Sequence, residues 1–207
     1  CWYYNQSHQW RKSISPCFKR GGDMCYVAKG AKQCCALFQA DTPPALIALG
    51  AKVKVVGSGK ERLVDIEEFY TQKGERANTL ETTEFVKELL IPTPPKNSGG
   101  AYLRLSQREA IDFPIVGAAS QLSLADGKCK DVRIALTAVA SGPVRVKEAE
   151  EVLLGNAITD NLVEKAAEAA QEKIRPMPHM GVSAGYKRKM IRVMVKRSLK
   201  QAWNLAK

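Results

Sequence analysis

Five of the six cysteines in this 207-residue chain lie within its first thirty-five positions, at Cys1, Cys17, Cys25, Cys34 and Cys35. That clustering constrains the fold strongly. Thiols at such density are bonded to each other, hold a metal, or stay free. Disulfides serve secreted chains of less than about 100 residues that lack a core. This chain is longer, 45% hydrophobic, and carries apolar runs further on, so it needs no staple. Structural zinc favours paired ligands about two to four residues apart. Here fifteen residues separate Cys1 from Cys17, seven separate Cys17 from Cys25, eight separate Cys25 from Cys34, and no C-x-x-C occurs. Spacing of this kind suits a loop wrapped around its contents. A [4Fe–4S] cluster takes four thiolates at tetrahedral corners. Gly21, Gly22 and Gly30 would let the backbone bend around it and aim N–H groups at its sulfurs. With His8 or His179 as a supplement, zinc is the other reading, and spacing alone leaves both open. A chain that begins with Cys rather than Met is expected to be the remainder of a longer protein.

Downstream, the Pro43–Pro44 pair predicts the start of a short helix over "ALIALG", closed by Gly50. "AKVKVV", "GSGK" and "RLVDI" read as a hairpin, which makes "GSGKERL" a turn rather than a phosphate loop. "EFVKELLIPTP" is an apolar strand stopped by prolines, and "PTPPKNSGG" marks the best internal boundary. Two or three strands follow, with "ADGKC" as a turn and Cys129 beside it as a structural thiol. The tail reads as three helices: "VKEAEEVLLGN", "TDNLVEKAAEAAQEKI" with Thr159 or Asp160 as N-cap, and the basic "GYKRKMIRVMVKRSLKQAW". In the last, Met190, Val193 and Met194 are expected to pack on the preceding helix. Lys187, Arg188, Arg192, Lys196 and Lys200 are expected to face solvent or a partner. The fold class is α+β, with a sheet-rich first half and a three-helix finish.

The net charge of +11 raises nucleic acid as a partner, but it is spread over the cysteine segment, one strand and the last helix. No apolar run approaches the roughly 18–20 residues that span a bilayer. There is no P-loop, G-x-S-x-G or H-E-x-x-H, so the chain lacks the usual motifs for bond chemistry of its own.

Several stretches resemble the flavin-binding (medium) subunit of the molybdenum hydroxylase family. "ADTPPALIALGAKVKVV" is similar to a passage inside its flavin domain, and "TEFVKELLIPTP" to the strand ending that domain. "AYLRLSQREAIDFPIVGAA" and "VRIALTAVASGPVRVKEAEEVLLG" are similar to the start of its C-terminal domain. The cysteine segment, with "CWYYNQS" and "QCCALFQADTPPAL", resembles the iron–sulfur insert of the 4-hydroxybenzoyl-CoA reductase branch.

The resemblance implies a cysteine-rich [4Fe–4S] insert over residues 1–40, the remainder of an FAD-binding α/β domain over 41–95, and a sheet-plus-three-helix domain over 99–207. It implies Cys1, Cys17, Cys25 and Cys34 as cluster ligands, with Cys35 spare. Flavin contacts map to Asp41 on the ribose side, the Val86 backbone near the isoalloxazine, and Arg104, where many relatives carry Lys. Without the resemblance these would read as a helix cap, a core residue and a surface residue. The family's glycine-rich flavin diphosphate motifs do not occur after Cys1, so this chain alone is expected to bind FAD poorly.

By the same resemblance the partners are a molybdenum-cofactor subunit, a [2Fe–2S] subunit and a ferredoxin-like electron donor, in the cytoplasm, with neither nucleic acid nor membrane. The complex would remove the phenolic hydroxyl of 4-hydroxybenzoyl-CoA, with substrate chemistry outside this subunit. The rivals are a sibling aldehyde or aromatic oxidoreductase and, from a different class, a zinc-stabilised basic module for nucleic acid.

Overall fold

The computed structural model describes residues 1, 3–179 and 181–207. Trp2 of the "CWYYNQS" stretch and Met180 of the "RPMPHMG" connection lie outside the described residues. In the cysteine segment, helix α1 (His8–Lys12) starts where the Ser7 hydroxyl accepts the Trp10 N–H at 3.1 Å. A 3-10 turn over Phe18–Arg20 stops at Gly21, whose φ of 78° is left-handed.

Helix α2 (Thr42–Leu49) carries its two prolines in the first turn, where a missing N–H costs nothing, and ends at Gly50 (φ 67°). Strands β1 (Lys52–Gly57) and β2 (Lys60–Asp65) pair antiparallel through Ser58 and Gly59, both at positive φ, as a two-residue hairpin turn requires. After a single helical turn, α3 (Ile66–Phe69), comes a small ribbon of β3 (Tyr70–Lys73) and β4 (Arg76–Asn78). Strand β5 (Glu84–Leu90) then returns beside β1, giving the order β2-β1-β5.

The larger sheet lies in the second half. It runs β6 (Ser98–Leu105), β7 (Val116–Ala125), β8 (Lys128–Thr137) and β9 (Val144–Arg145), all antiparallel in sequence order. Helices α4 (Lys147–Glu151), α5 (Asp160–Lys173) and α6 (Ala184–Ala206) complete the chain. Thr159 caps α5 by accepting the Leu162 N–H at 3.2 Å, and Ser183 caps α6 by accepting that of Tyr186 at 3.2 Å.

Strand alternation divides the β8 side chains between two cores. Ile134 and Leu136 join Leu153, Val163, Ile191, Val195 and Leu199 on the side of α4, α5 and α6. Ala135, between them, joins Leu46, Ile47, Val53, Val55 and Phe69 on the side of α2. The sheet is thus covered on both faces, with α6 lying across β6 and β7 and against α5.

Three expectations need correction. The "VKEAEEVLLGN" helix stops at Glu151 and continues as turns to Gly155 (φ 74°). Met194 is buried as expected, but Met190 and Val193 are only half-buried, and the deeply buried stripe of α6 runs through Ile191, Val195 and Leu199. Lys187, expected to face solvent or a partner, is 1% exposed, because the 3.6-residue period that buries Ile191 also turns Lys187 inward.

Candidate functional site

The cysteine loop is shaped by backbone constraints. The Phe18 N–H donates to the Met24 carbonyl at 2.9 Å, and the Gly22 N–H to that of Cys17 at 3.0 Å. A Cβ at Gly22 would fall 1.7 Å from the Pro16 oxygen, so this closure requires glycine. The Cys34 N–H donates to Glu75 Oε1 at 2.8 Å and Lys19 Nζ to the Gly74 carbonyl at 3.1 Å, tying the loop to the turn between β3 and β4.

Held this way, Cys1, Cys17, Cys25 and Cys34 line one pocket, together with Tyr4, Phe18 and Lys19. Cys35 instead lines a neighbouring pocket that contains Leu37, Pro178 and His179, and that Cys1 also borders. Adjacent residues in an extended segment point to opposite sides, which separates Cys34 from Cys35. All six cysteines are free thiols. Among the described residues, no three His, Cys, Asp or Glu side chains are grouped to hold a single metal ion, and His8 is exposed.

The thiols differ in character. Burial pushes Cys25 up, but N–H groups of Cys35, Ala28 and Val27 on its sulfur outweigh this and hold it below the ordinary thiol value. Burial raises Cys34, opposed by the Ala36 N–H, and burial with the neighbouring Cys25 raises Cys35. Backbone N–H groups aimed at sulfur and four thiols around one space are what an iron–sulfur cube needs from a protein. The donor set fits that group.

A second constellation joins α2 to β6. Asp41 opens α2 without capping it through its side chain. Its carboxylate faces β6, where Oδ1 accepts the Tyr102 hydroxyl at 2.5 Å and Oδ2 accepts Arg104 Nη1 at 2.9 Å. The same Arg104 nitrogen donates to the Asp112 carbonyl at 3.2 Å. Burial and the Asp41 carboxylate raise the Tyr102 phenol well above its ordinary value, so it stays a hydrogen-bond donor.

Asp41 and Arg104 are therefore brought together. Tyr102 is the member sequence reasoning missed, although the alternation of "AYLRL" puts it on the same strand face as Arg104. Val86 is not part of this cluster. It lies on edge strand β5 opposite Val55, 39% exposed, where a core position would be closed. These residues can bind and orient a polar ligand: a carboxylate and a guanidinium on one side, and an edge strand with free backbone groups elsewhere.

Two family descriptions match. The FAD binding domain in molybdopterin dehydrogenase covers residues 21–94, and the CO dehydrogenase flavoprotein C-terminal domain covers residues 101–202. The carbon monoxide dehydrogenase medium chain of Afipia carboxidovorans is 32% identical over 167 residues, covering 81% of this chain and 57% of that protein. The 6-hydroxypseudooxynicotine dehydrogenase complex subunit alpha of Paenarthrobacter nicotinovorans is 32% identical over 169 residues, covering 81% and 56%. The solved carbon monoxide dehydrogenase of Hydrogenophaga pseudoflava superposes with a TM-score of 0.75 at 33% identity, over 80% of this chain and 56% of that one. The chain thus spans a little over half the length of the relatives it matches. Those relatives are subunits of dehydrogenases. On these matches and this fold, the chain belongs to the FAD-binding medium subunits of the molybdenum hydroxylase family.

Proposed function

We propose that this chain is the flavin and iron–sulfur electron-transfer part of a molybdenum hydroxylase-type complex, in the 4-hydroxybenzoyl-CoA reductase branch. One observation carries the reading: four cysteines from four separated positions line a single pocket, while the adjacent fifth borders another. When bound, FAD and a [4Fe–4S] cluster supply the one- and two-electron steps that side chains cannot. Cys1, Cys17, Cys25 and Cys34 would hold the cluster. The N–H groups of Val27, Ala28, Cys35 and Ala36 that favour thiolate at Cys25 and Cys34 would also favour the more negative state of a centre bound there. Asp41 would bind a ribose hydroxyl, oriented for it by Tyr102 and Arg104, and the β5 backbone at Val86 would border the flavin.

The division at 1–40, 41–95 and 99–207 follows the same reading: cluster insert, flavin-domain remainder and C-terminal domain. Partner subunits carrying molybdenum cofactor and [2Fe–2S], with a ferredoxin-like donor, would complete the route, located in the cytoplasm. Among the described residues no helix is long and apolar enough to cross a membrane. The pairing of α6 cations with α5 carboxylates also weakens the nucleic-acid alternative. Arg192 meets Glu164 at 2.6 Å and Glu168 at 2.9 Å, and Lys196 meets Glu164.

The test is metal and acid-labile sulfide analysis of the protein and its cysteine variants. Iron with sulfide is expected, retained in Cys35→Ser and lost in Cys34→Ser. Stoichiometric zinc without sulfide, or the reverse behaviour of the two variants, would overturn the assignment.

A further inference from the structure

A lysine inside a protein without a counter-charge is costly, because an ammonium loses its hydration and gains nothing in return. Lys187 is such a residue. It lies in the first turns of α6, 1% exposed, and makes no hydrogen bond or ion pair among the described residues. Its side chain borders a pocket shared with Gln39, Gln107, Asp112, Phe113 and His179. The other groups there do not neutralise it. Asp112 directs its carboxylate elsewhere, with Oδ2 accepting the N–H of Gln107 at 2.8 Å and of Arg108 at 3.0 Å, and Oδ1 accepting that of Phe113 at 2.9 Å and lying 4.0 Å from Arg108 Nε. His179 is held below its ordinary value by burial and by the Lys187 charge, so at neutral pH it is an uncharged imidazole. The pocket also sits at the N-terminus of a 23-residue helix, whose first N–H groups and dipole favour negative charge.

We propose that this pocket is a binding site for a small oxyanion, a carboxylate or a phosphoryl group, with Lys187 as its charge partner and His179, Gln39 and Gln107 as neutral hydrogen-bonding groups around it. The ligand supplies the missing counter-charge. The helix N-terminus adds to the attraction, and Phe113 and Pro114 give the pocket apolar walls. The site adjoins the Asp41–Tyr102–Arg104 cluster through Asp112, whose carbonyl accepts Arg104, and the Cys35 pocket through His179. The proposal stands whether or not the electron-transfer reading does.

Calorimetric titration of the chain with sulfate and, separately, with acetate tests this, at constant ionic strength made up with chloride. One saturable site is expected for at least one of them at pH 7. Sulfate alone points to a phosphoryl ligand, acetate alone to a carboxylate, and both to a site that accepts either geometry. The affinity should fall at least tenfold in Lys187→Met. In the unaltered chain it should also fade as pH rises toward about 9.5, since burial holds the Lys187 ammonium down at about 8. Neither probe titrates over that range, Asp112 stays charged and His179 stays neutral. The Cys1 α-ammonium, whose charge reaches His179, is held below its ordinary value by burial and releases its proton before Lys187 does. If Lys187→Met does not fold, the pH series decides alone. No saturable binding of either probe, or binding indifferent to pH and to Lys187→Met, would overturn the proposal.

Discussion

Glu150 is one carboxylate joining three elements. It is buried and accepts Arg145 Nε and Nη2, both at 2.9 Å, and the Ile134 N–H at 2.8 Å, so β8, β9 and α4 meet on it. Glu150→Ala would leave a buried N–H and a guanidinium short of acceptors. We expect a loss of about 3 kcal/mol in chemical denaturation, well above the ~1 kcal/mol or less of an exposed pair such as Lys52–Asp65. Glu84 gives a pH signature. Arg62 and the Glu81 N–H lower its carboxyl from 4.5 to about 2. The folded carboxylate therefore resists a proton that the unfolded one accepts. Its contribution is complete above pH 4.5 and disappears as pH falls through about 2. Glu84→Gln should flatten the stability profile in that window; an unchanged profile would mean that the pair is not coupled to folding. Lys187 runs the other way. Burial lowers it from 10.5 to about 8, so between those values the unfolded chain keeps a proton that the folded chain has released. Stability should rise with pH there in anion-free buffer, and Lys187→Met should remove the rise.

At the scale of elements, α6 separates what packing decides from what charge decides. Met194 is 4% exposed in the main core, whereas Arg192, Lys196 and Lys200 pair with Glu164, Glu168 and Asp160 at the margin. Burying a Met or Val side chain is worth about 1.5–3 kcal/mol, and a partly exposed ion pair about 1 kcal/mol or less. Met194→Asp should destabilise the fold severely. Arg192→Ala with Lys196→Ala should shift the denaturation midpoint only slightly and leave the far-UV circular dichroism unchanged. A double variant that unfolds would show that the α5–α6 contact depends on its charges. The α1, α5 and α6 starts follow from Ser7, Thr159 and Ser183, residues whose hydroxyls satisfy the first free N–H groups. The short α4 was not legible, because "VKEAEEVLLGN" has helical composition throughout. Its end is fixed by tertiary contacts: the Gly155 N–H donates to the Cys129 carbonyl at 2.8 Å and the Cys129 N–H to that of Asn156 at 2.9 Å.

For the whole molecule, the family reading predicts a division of labour in cofactor retention. The diphosphate of a dinucleotide is usually held by glycine-loop N–H groups and a helix N-terminus, and no such motif occurs in these 207 residues. In the proposed site Asp41, Tyr102 and Arg104 would supply one wall, and Val86 a separate strand edge. The 207-residue chain should therefore retain little FAD through gel filtration, read by flavin absorbance. Stoichiometric retention would mean that these residues suffice.

The sequence by itself determined the local elements, because their causes are local. Proline and glycine fix the ends of α2, two-residue turns at Ser58–Gly59 and Asp126–Gly127 fix the hairpins, and alternation fixes the strand faces. It also marked the cysteine loop and, by resemblance, Asp41 and Arg104. Only the tertiary structure decided which side chains meet. Asp41 and Tyr102 are sixty-one residues apart yet share a hydrogen bond, and Cys34 rather than Cys35 borders the four-cysteine pocket because Glu75, forty-one residues on, accepts the Cys34 N–H. Lys187 lies within a run of basic residues and reads as solvated, and only the packing of α6 against the sheet buries it. Capping and turn propensities act over a few residues, whereas burial is set by whatever the rest of the chain places alongside.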